Sequence, residues 1–264
     1  MSSLSLATAN LVRHERNARQ EALPQKDLST QLTARLALDE QTRADAFSVR
    51  HDSYLSGGYI DEREDGLFSD ENDDMPNSQT VVVYKNERPV ASIRFCILDT
   101  DPTLQGWNDI PALHVFPEET QALMDGINAA NREKALAEGT EMKYARAIEI
   151  NRLVRHPDFA NDSELVFVLF RFATYMVLHH DADLTLSCVR KNHMPFYRRI
   201  IKLQNVAGPR QYAGVKFATH LMACDREKYA SVVRDVPIFN SAKILQGGYD
   251  GLFDGETVNV FGEQ

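Results

Sequence analysis

Residues 145–189 read ARAIEINRLVRHPDFANDSELVFVLFRFATYMVLHHDADLTLSCV, and this stretch decides the fold. It contains an apolar run over Ala145–Val154, a longer one over Leu165–Leu178, and a third over Asp183–Val189. The first and third runs have the length of strands and the second that of a buried helix, with Asn161-Asp162-Ser163 as its candidate N-cap. The stretch therefore predicts a strand, a helix and a second strand.

The flanking segments extend this pattern in both directions. Two short runs, Thr80–Tyr84 and Val90–Leu98, are joined by the turn Asn86–Pro89 and predict a β-hairpin. The other expectations are a helix over 32–56, a carboxylate-rich loop over 61–78, helices over 118–138 and 192–202, a turn-rich segment over 204–216 and a strand over 217–224. This order predicts one α/β domain with a central mixed, mostly antiparallel sheet flanked by helices.

We assign the domain to residues 31–224, with an insertion at 98–145, between a helical arm at 1–30 and a C-terminal extension at 225–264. The chain has 264 residues, a formal charge of −9 and 43% hydrophobic residues, which favours a globular fold over disorder. The acidic balance argues against a general nucleic-acid binder. Three scattered cysteines, no signal peptide and no long apolar run predict a cytoplasmic protein with no membrane span.

Charged residues inside apolar strands are the informative anomaly, because a buried charge needs a partner. Arg94 interrupts the second hairpin strand, and Glu149 and Arg152 interrupt the strand at 145–154. Side chains alternate along a strand, so Glu149 and Asn151 should share one face and Arg152 should point to the other unless a bulge re-aims it. An isolated charge of this kind more often belongs to a structural ion pair than to an active site.

Four short motifs occur in order along the chain: Arg50-x-x-x-Tyr54, Asp70-x-x-Asp73, Ile93-Arg94 and Glu149-Ile-Asn-Arg152. Together they resemble the signature of acyl-homoserine lactone synthases, which are acyltransferases of the GNAT superfamily. Pro76-Asn-Ser78 and the long gap before Glu149 are more similar to a sister group, the long-chain N-acyl amino acid synthases. The resemblance covers roughly residues 40–224 and implies a GNAT-like fold.

The resemblance implies a fatty acyl group on a carrier protein as donor, an amino acid or related amine as acceptor, and no metal or bound cofactor. Acyl-phosphopantetheine would enter as a substrate. By position Glu149 corresponds to the residue proposed as general base, Tyr197 to the tyrosine that many members of the superfamily use to protonate the leaving thiolate, and Arg152 to a member of the charged network that shapes the acceptor site. We also count Arg152 with the catalytic residues, because backbone N–H groups at a strand bulge near Arg152 or Leu153 would stabilise the oxyanion. The residues implied in acceptor binding are Arg50, Tyr54, Asp70, Asp73 and Arg94.

Two departures from related families shape the expected substrates. The lactone synthases carry a tryptophan shortly after the first motif, where this chain reads Ser-Gly-Gly-Tyr59, and its single tryptophan is Trp107. Acetyltransferases of the superfamily carry a glycine-rich pyrophosphate loop, where this chain reads Arg155-His-Pro-Asp-Phe-Ala-Asn-Asp162. These differences favour a carrier-protein donor over coenzyme A and disfavour S-adenosylmethionine as the acceptor.

A cationic run offers a docking surface for an acidic carrier protein. Residues 190–202 contain five cations and no acids: Arg190, Lys191, Arg198, Arg199 and Lys202. An apolar tunnel for the acyl chain could be lined by Phe167, Phe170 and Phe172.

Simpler interpretations stay open. The cationic run could be an ordinary solvated helix face, Asp70 and Asp73 a solvated loop, and Tyr197 half-buried packing. The alternative functions are an acyl-homoserine lactone synthase that uses S-adenosylmethionine, and a non-catalytic module of the same fold that binds acyl chains or carrier protein.

Overall fold

The computed structural model describes residues 32–212 and 214–261, which belong to one compact unit. The helical arm expected at residues 1–30 lies outside the described residues. The strands are β1 (Leu32–Leu36), β2 (Ser78–Lys85), β3 (Arg88–Asp99), β4 (Arg146–Arg155), β5 (Leu184–Val189), β6 (Gln204–Gln211), β7 (Ala218–Asp225) and β8 (Val258–Asn259). The α-helices are α1 (Glu40–Ser56), α2 (Pro111–Val115), α3 (Pro117–Glu138), α4 (Ser163–His179), α5 (Met194–Ile201), α6 (Arg226–Asp235) and α7 (Ala242–Leu245).

All eight strands form one open sheet in the order β6-β7-β5-β4-β3-β2-β1-β8. Every pairing is antiparallel except that of β4 with β5, which are parallel and connected through α4. The predicted fold class, a mixed and mostly antiparallel sheet flanked by helices, is therefore confirmed. The parallel pair is the strand–helix–strand unit of residues 145–189, since a parallel pairing needs a crossover connection.

Local sequence explains where the β2–β3 hairpin turns and where helix α4 begins. Asn86 and Glu87 adopt positive φ values of 51° and 64°, which lets the β2–β3 hairpin turn within two residues. Helix α4 begins after Asp162, whose carboxylate accepts a hydrogen bond from the Glu164 amide at 3.0 Å. The cap and the hairpin turn both lie where the sequence predicts them.

The expectation of a helix throughout residues 32–56 is wrong in its first part. Leu32–Leu36 is strand β1, which pairs with β2, and the helix begins only at Glu40. Asp39 sets that start, because its carboxylate accepts a hydrogen bond from the Thr42 amide at 2.8 Å. Over only five residues, apolar side chains at alternate positions are compatible with a strand as well as with one end of an amphipathic helix.

The expectation of a turn-rich segment over 204–216 is also wrong in part. Gln204–Gln211 forms strand β6 at one edge of the sheet, paired with β7 and largely exposed. Its polar residues and Gly208-Pro209 are typical of a turn, but an edge strand tolerates both because one of its sides has no hydrogen-bonding neighbour.

The C-terminal segment is continuous with the core of the domain. Strand β8 pairs with β1, and the segment contributes buried side chains to the main core: Phe239, Ile244, Tyr249, Leu252, Val258 and Val260. Arg171, a charged residue in the buried run of α4, donates hydrogen bonds to the Ile238 carbonyl at 2.7 Å and the Tyr249 hydroxyl at 3.1 Å. Among the described residues, no helix is both long and apolar enough to cross a bilayer.

Candidate active site

A bulge in β4 brings the predicted charged residues to one side of the sheet. Opposite β3, Ser92 aligns with Val154 but Arg94 aligns with Asn151, so β4 contains one extra residue between these pairs. Arg152 lies in this bulge with a φ of 48°, in the left-handed region. The bulge breaks the alternation of side-chain direction along β4. The side chains of Arg152 and Arg94 can therefore bind the same partner, Asp70.

The shared partner belongs to a buried network of three arginines and two aspartates. Asp70 accepts hydrogen bonds from Arg94 Nη1 at 2.6 Å and from Arg152 Nη2 at 2.5 Å. Asp73 lies 2.7 Å from Arg50 Nη1 and 2.9 Å from Arg94 Nη1. The five residues come from α1, β3, β4 and the turn before β2, and all five were predicted from sequence.

The turn that carries Asp70 and Asp73 is held by its own carboxylates. Residues Glu71–Asp74 form a short 3-10 helix, and Asp70 and Asp73 cap its backbone reciprocally. Burial opposes ionisation, but Arg94 and Arg152 outweigh it and hold the pKa of Asp70 below its usual range. The pKa of Asp73 is lowered in the same way by Arg50 and Arg94. Both aspartates are therefore ionised at neutral pH, and the three guanidinium groups give the network one formal positive charge in excess. Burial lowers the pKa of Arg50, and its ion pair with Asp73 opposes this shift.

Aromatic rings surround the guanidinium of Arg152. Its central carbon lies 5.8 Å from the ring centre of Tyr54, 5.0 Å from that of Phe68 and 5.2 Å from that of Tyr212. Tyr54 is nine-tenths buried and makes an edge contact with Phe68. The predicted residue Tyr54 is thus one of the aromatic residues that orient Arg152, because the guanidinium group lies over the face of its ring.

Glu149 is fully buried on the same strand, three residues before Arg152. Its Oε2 accepts a hydrogen bond from the Ala112 amide at 2.7 Å, and its Oε1 accepts one from the Tyr212 hydroxyl at 3.3 Å. Burial raises the pKa of Glu149, although the Ala112 amide and Arg94 act in the opposite direction. A carboxyl group with a raised pKa is better matched to proton transfer near neutral pH than an ordinary one.

Two cavities flank the bulge. The larger, of about 470 Å³, opens where the β4–β5 pairing ends at Glu149 and Leu186; Leu153, Val154 and Tyr197 contribute to its wall. The smaller, of about 100 Å³, is lined by residues that include Asp70, Arg152 and Tyr212. We call them the large cavity and the small cavity. Because Arg152 and Leu153 are adjacent in the chain, the bulge separates the two spaces.

Tyr197 lies on α5 and faces the large cavity. It is nine-tenths buried and packs edge-on against Phe170 at 5.4 Å. Burial raises its pKa to about 12, while a hydrogen bond with Ser187 acts in the opposite direction. The phenol is therefore protonated at neutral pH and able to donate a proton.

The predicted docking residues divide into two groups. Arg190 is half-buried, stacks 4.3 Å from the ring centre of Tyr59 and lines the large cavity. The other four are exposed, and within the described part of the chain none forms an ion pair: Lys191, Arg198, Arg199 and Lys202. These four leave their charge available to a partner.

Of the three phenylalanines expected to line a tunnel, only Phe170 contributes to the large cavity. Phe167 lies beside Phe196, with ring centres 6.4 Å apart. Phe172 packs at 4.9 Å against Tyr249 of the C-terminal segment, on another side of the helix. Helical periodicity separates Phe172 from Phe170 by about 200°, which explains why both cannot face one cavity.

Several residues of the site were not predicted as part of it. Asn151 accepts a hydrogen bond from Arg94 Nε at 2.8 Å, and Thr80 accepts one from Arg50 Nη2 at 2.9 Å. Asn151 could have been found, because it shares a strand face with Glu149. Ala112 and Tyr212 lie in the insertion and in the segment after β6, and no periodicity or motif marks them.

A match to a protein-family model defines the class of the protein as an acyltransferase. The family model for N-acyl amino acid synthase FeeM matches residues 45–225, which is more than half of the chain. The chain therefore belongs to this family. No curated protein sequence matches it.

Two solved structures illustrate the similarity of fold. FeeM, an N-acyl amino acid synthase from uncultured soil microbes, is 15% identical, with a TM-score of 0.58 over 79% of this chain and 98% of that chain. BjaI, a coenzyme A-dependent acyl-homoserine lactone synthase, is 14% identical, with a TM-score of 0.50 over 79% of this chain and 90% of that chain. At these identities the structures establish a shared fold.

Proposed function

We propose that the protein transfers a long-chain fatty acyl group from acyl-carrier protein to the amino group of an amino acid or a related amine. The observation that carries the proposal is the position of Glu149 and the arginine–aspartate network beside a bulge that separates two cavities. The large cavity receives the thioester, and the small cavity receives the amine.

The chemistry follows from the groups at the bulge. An α-amino group has a pKa near ~8, so it arrives mostly protonated, and Glu149 takes its proton. The amine nitrogen then attacks the thioester carbon and forms a tetrahedral oxyanion. The backbone amide of Leu153, which the register leaves unaligned with β3, holds this oxyanion, an effect worth about 3 kcal/mol. The carbon–sulfur bond breaks, and Tyr197 protonates the leaving thiolate. The proton that the nitrogen still carries in excess passes through solvent to the Tyr197 phenolate, which leaves a neutral amide, a neutral thiol and a neutral tyrosine.

The excess positive charge of the network supports an acceptor that carries a carboxylate. Arg152 lines the small cavity, and its guanidinium is oriented by Asp70 and three aromatic rings. A guanidinium held in this way can bind a carboxylate through two parallel hydrogen bonds. An amino acid places such a carboxylate next to the amine that reacts.

Two observations support a carrier-protein donor. The start of α4, where related acetyltransferases bind a pyrophosphate, is capped by the Asp162 carboxylate and followed by Glu164. These carboxylates disfavour the pyrophosphate of coenzyme A through like-charge repulsion. The four exposed cations on and around α5 offer a complementary surface to an acidic carrier protein.

The test is to incubate the protein with palmitoyl-acyl-carrier protein or palmitoyl-coenzyme A and a mixture of the twenty amino acids. We expect release of the carrier thiol and one or a few acyl amides by mass spectrometry, faster with the carrier protein. Lactone formation with S-adenosylmethionine as sole acceptor would identify a lactone synthase. Acyl-chain binding without any amide from a folded protein would identify a non-catalytic module.

A matched pair of variants tests the base. Glu149→Gln keeps the shape of the side chain and should lower the rate by about 100-fold, the usual contribution of a general base. Glu119→Gln is the control, because Glu119 lies on α3, forms an ion pair with Arg210 and, within the described residues, lines neither cavity. Equal rates in the two variants would remove Glu149 from the role.

A further inference from the structure

Glu149 has no exposed surface through which to meet an acceptor directly. Its relative exposure is 0%, and within the described residues it lines neither the large nor the small cavity. Its Oε2 is engaged by the Ala112 amide. A proton that travels from the small cavity to Glu149 therefore needs a carrier between them.

Tyr212 lies between Glu149 and the small cavity. Its hydroxyl is 3.3 Å from Glu149 Oε1, and the residue lines the small cavity together with Asp70 and Arg152. It is 5% exposed. Tyr212 thus contacts the buried carboxylate through its hydroxyl and is at the same time one of the residues around the space where the amine is proposed to bind.

The segment around Tyr212 is fixed by hydrogen bonds of its own. Gln211 Nε2 donates to the carbonyls of Tyr212 and Val215, and the Lys216 amide donates to the Tyr59 carbonyl at 2.8 Å. The Tyr212 ring also lies 5.2 Å from the guanidinium carbon of Arg152. These contacts hold the phenol in place from both sides.

We propose that the Tyr212 hydroxyl relays the proton of the acceptor ammonium group to Glu149. An N–H proton of the ammonium group passes to Tyr212 Oη while the hydroxyl proton passes to Glu149 Oε1. This leaves a neutral amine, a neutral phenol and a protonated carboxyl group, and the carboxyl returns its proton to water by the same route after the product leaves. The inference rests on the function proposed above and specifies how the proton of the acceptor reaches Glu149, the general base.

The ionisation properties of both groups fit a concerted relay. Burial raises the pKa of Tyr212 well above its ordinary value, and the neighbouring Glu149 raises it further, so an isolated phenolate does not form. The raised pKa of Glu149 makes it a stronger base than an exposed carboxylate. The phenol exchanges one proton for another and stays neutral throughout.

Two other side chains contact Glu149 but do not offer a route. Asn151 is engaged by Arg94 Nε at 2.8 Å and by Cys96 at 3.4 Å. Burial raises the pKa of the Cys188 thiol well above its usual value, and Glu149 adds to this shift. Within the described residues, neither of them lines the small cavity.

The test compares Tyr212→Phe with Tyr229→Phe under single-turnover conditions. Tyr212→Phe keeps the ring beside Arg152 and removes only the hydroxyl, while Tyr229 is a buried tyrosine whose hydroxyl meets Thr174 at 3.3 Å, outside both cavities. We expect Tyr212→Phe to lower the rate by about 100-fold at pH 7, with little change in the acceptor KM. Tyr229→Phe should retain the wild-type rate.

Two further readouts distinguish a relay from a purely structural role. The deficit of Tyr212→Phe should shrink as the pH rises toward 9, because the amine then arrives deprotonated. The wild-type rate should depend non-linearly on the deuterium content of the solvent, since two protons move together, and the dependence should become linear in Tyr212→Phe. A deficit that is constant with pH and leaves the isotope dependence unchanged would overturn the relay.

The double variant Tyr212→Phe/Glu149→Gln should be no slower than the slower single variant, because the two residues act on one proton. If the rate defects of the two single variants multiplied in the double variant, that result would contradict the relay. His114 also lines the small cavity, with Nε2 2.8 Å from Asp109. A rate deficit that shrinks toward pH 9 in His114→Asn, with no such deficit in Tyr212→Phe, would assign the proton to His114 instead. A wild-type protein that forms no amide would refute the proposed function itself, which separates that failure from failure of the relay.

Discussion

Removing the charge of Asp70 is the sharpest test of the network at the bulge. Asp70 accepts hydrogen bonds from Arg94, whose side chain is fully buried, and from Arg152, whose side chain is 3% exposed. Asp70→Asn preserves the size of the side chain but leaves the two buried guanidinium groups without that carboxylate. Breaking a buried ion pair costs about 3–5 kcal/mol, and the 20% exposure of Asp70 favours the lower end.

The expected readout is the melting temperature. A loss of about 3 kcal/mol corresponds to a decrease of roughly 6–12 °C in a domain of this size. Asp158→Asn is the matched control, because its ion pair with Arg88 is also 2.5 Å long but lies at the surface, with side chains 60% and 50% exposed. Solvent screens such a pair, so the control should melt like the wild-type protein.

The pH dependence adds a second check on Asp70→Asn. The folded-state pKa of Asp70 is lowered, so its contribution to stability is fully present above the unfolded pKa near 4 and is lost as the pH falls through the folded value. The difference between wild type and variant should therefore be constant at neutral pH and shrink only in strong acid. Equal melting temperatures for Asp70→Asn and Asp158→Asn at pH 7 would refute the reasoning.

Three further predictions address other parts of the site. Glu149→Gln should melt at a higher temperature than wild type at pH 8 although it is the slower enzyme, because a raised folded-state pKa makes ionised Glu149 destabilising. Calorimetry should show the two melting temperatures converging below about pH 4. Val166→Phe, which narrows the large cavity, should shift the products toward shorter acyl chains, and an unchanged product profile by mass spectrometry would place the chain elsewhere. Arg198→Glu/Arg199→Glu should raise the KM for acyl-carrier protein about ten-fold at low salt while leaving the KM for acyl-coenzyme A unchanged in steady-state assays; equal effects on both donors would argue against docking.

Sequence patterns predicted the centre of the sheet better than its edges. The runs that became β3, β4 and α4 are long and apolar, and burial makes such runs unambiguous. Strand β1 was missed because it is short, and edge strand β6 was missed because its polar residues and Gly208-Pro209 are typical of a turn. The extended conformation of β1 depends on pairing with β2, which comes from a distant part of the sequence, and that of β6 depends on pairing with β7, the strand that follows it.

The charged part of the site was more predictable than its uncharged part. Arg94, Glu149 and Arg152 stood out because a charge within an apolar strand needs a partner, and the four motifs supplied the partners in order. Tyr212 carries no such signal, since a tyrosine near a turn is equally suited to packing. Its place beside Glu149 depends on the course of the chain after β6.

By itself, the sequence determined the mixed sheet, the strand–helix–strand centre and the set of acidic and basic residues that seek partners, because hydrophobic periodicity and buried charge are local properties. Only the tertiary structure decided that the bulge turns Arg152 toward Asp70, that Ala112 and Tyr212 enclose Glu149, and that the C-terminal segment completes the core. These outcomes depend on contacts between residues far apart in the chain, and no local pattern encodes the angle at which such segments meet.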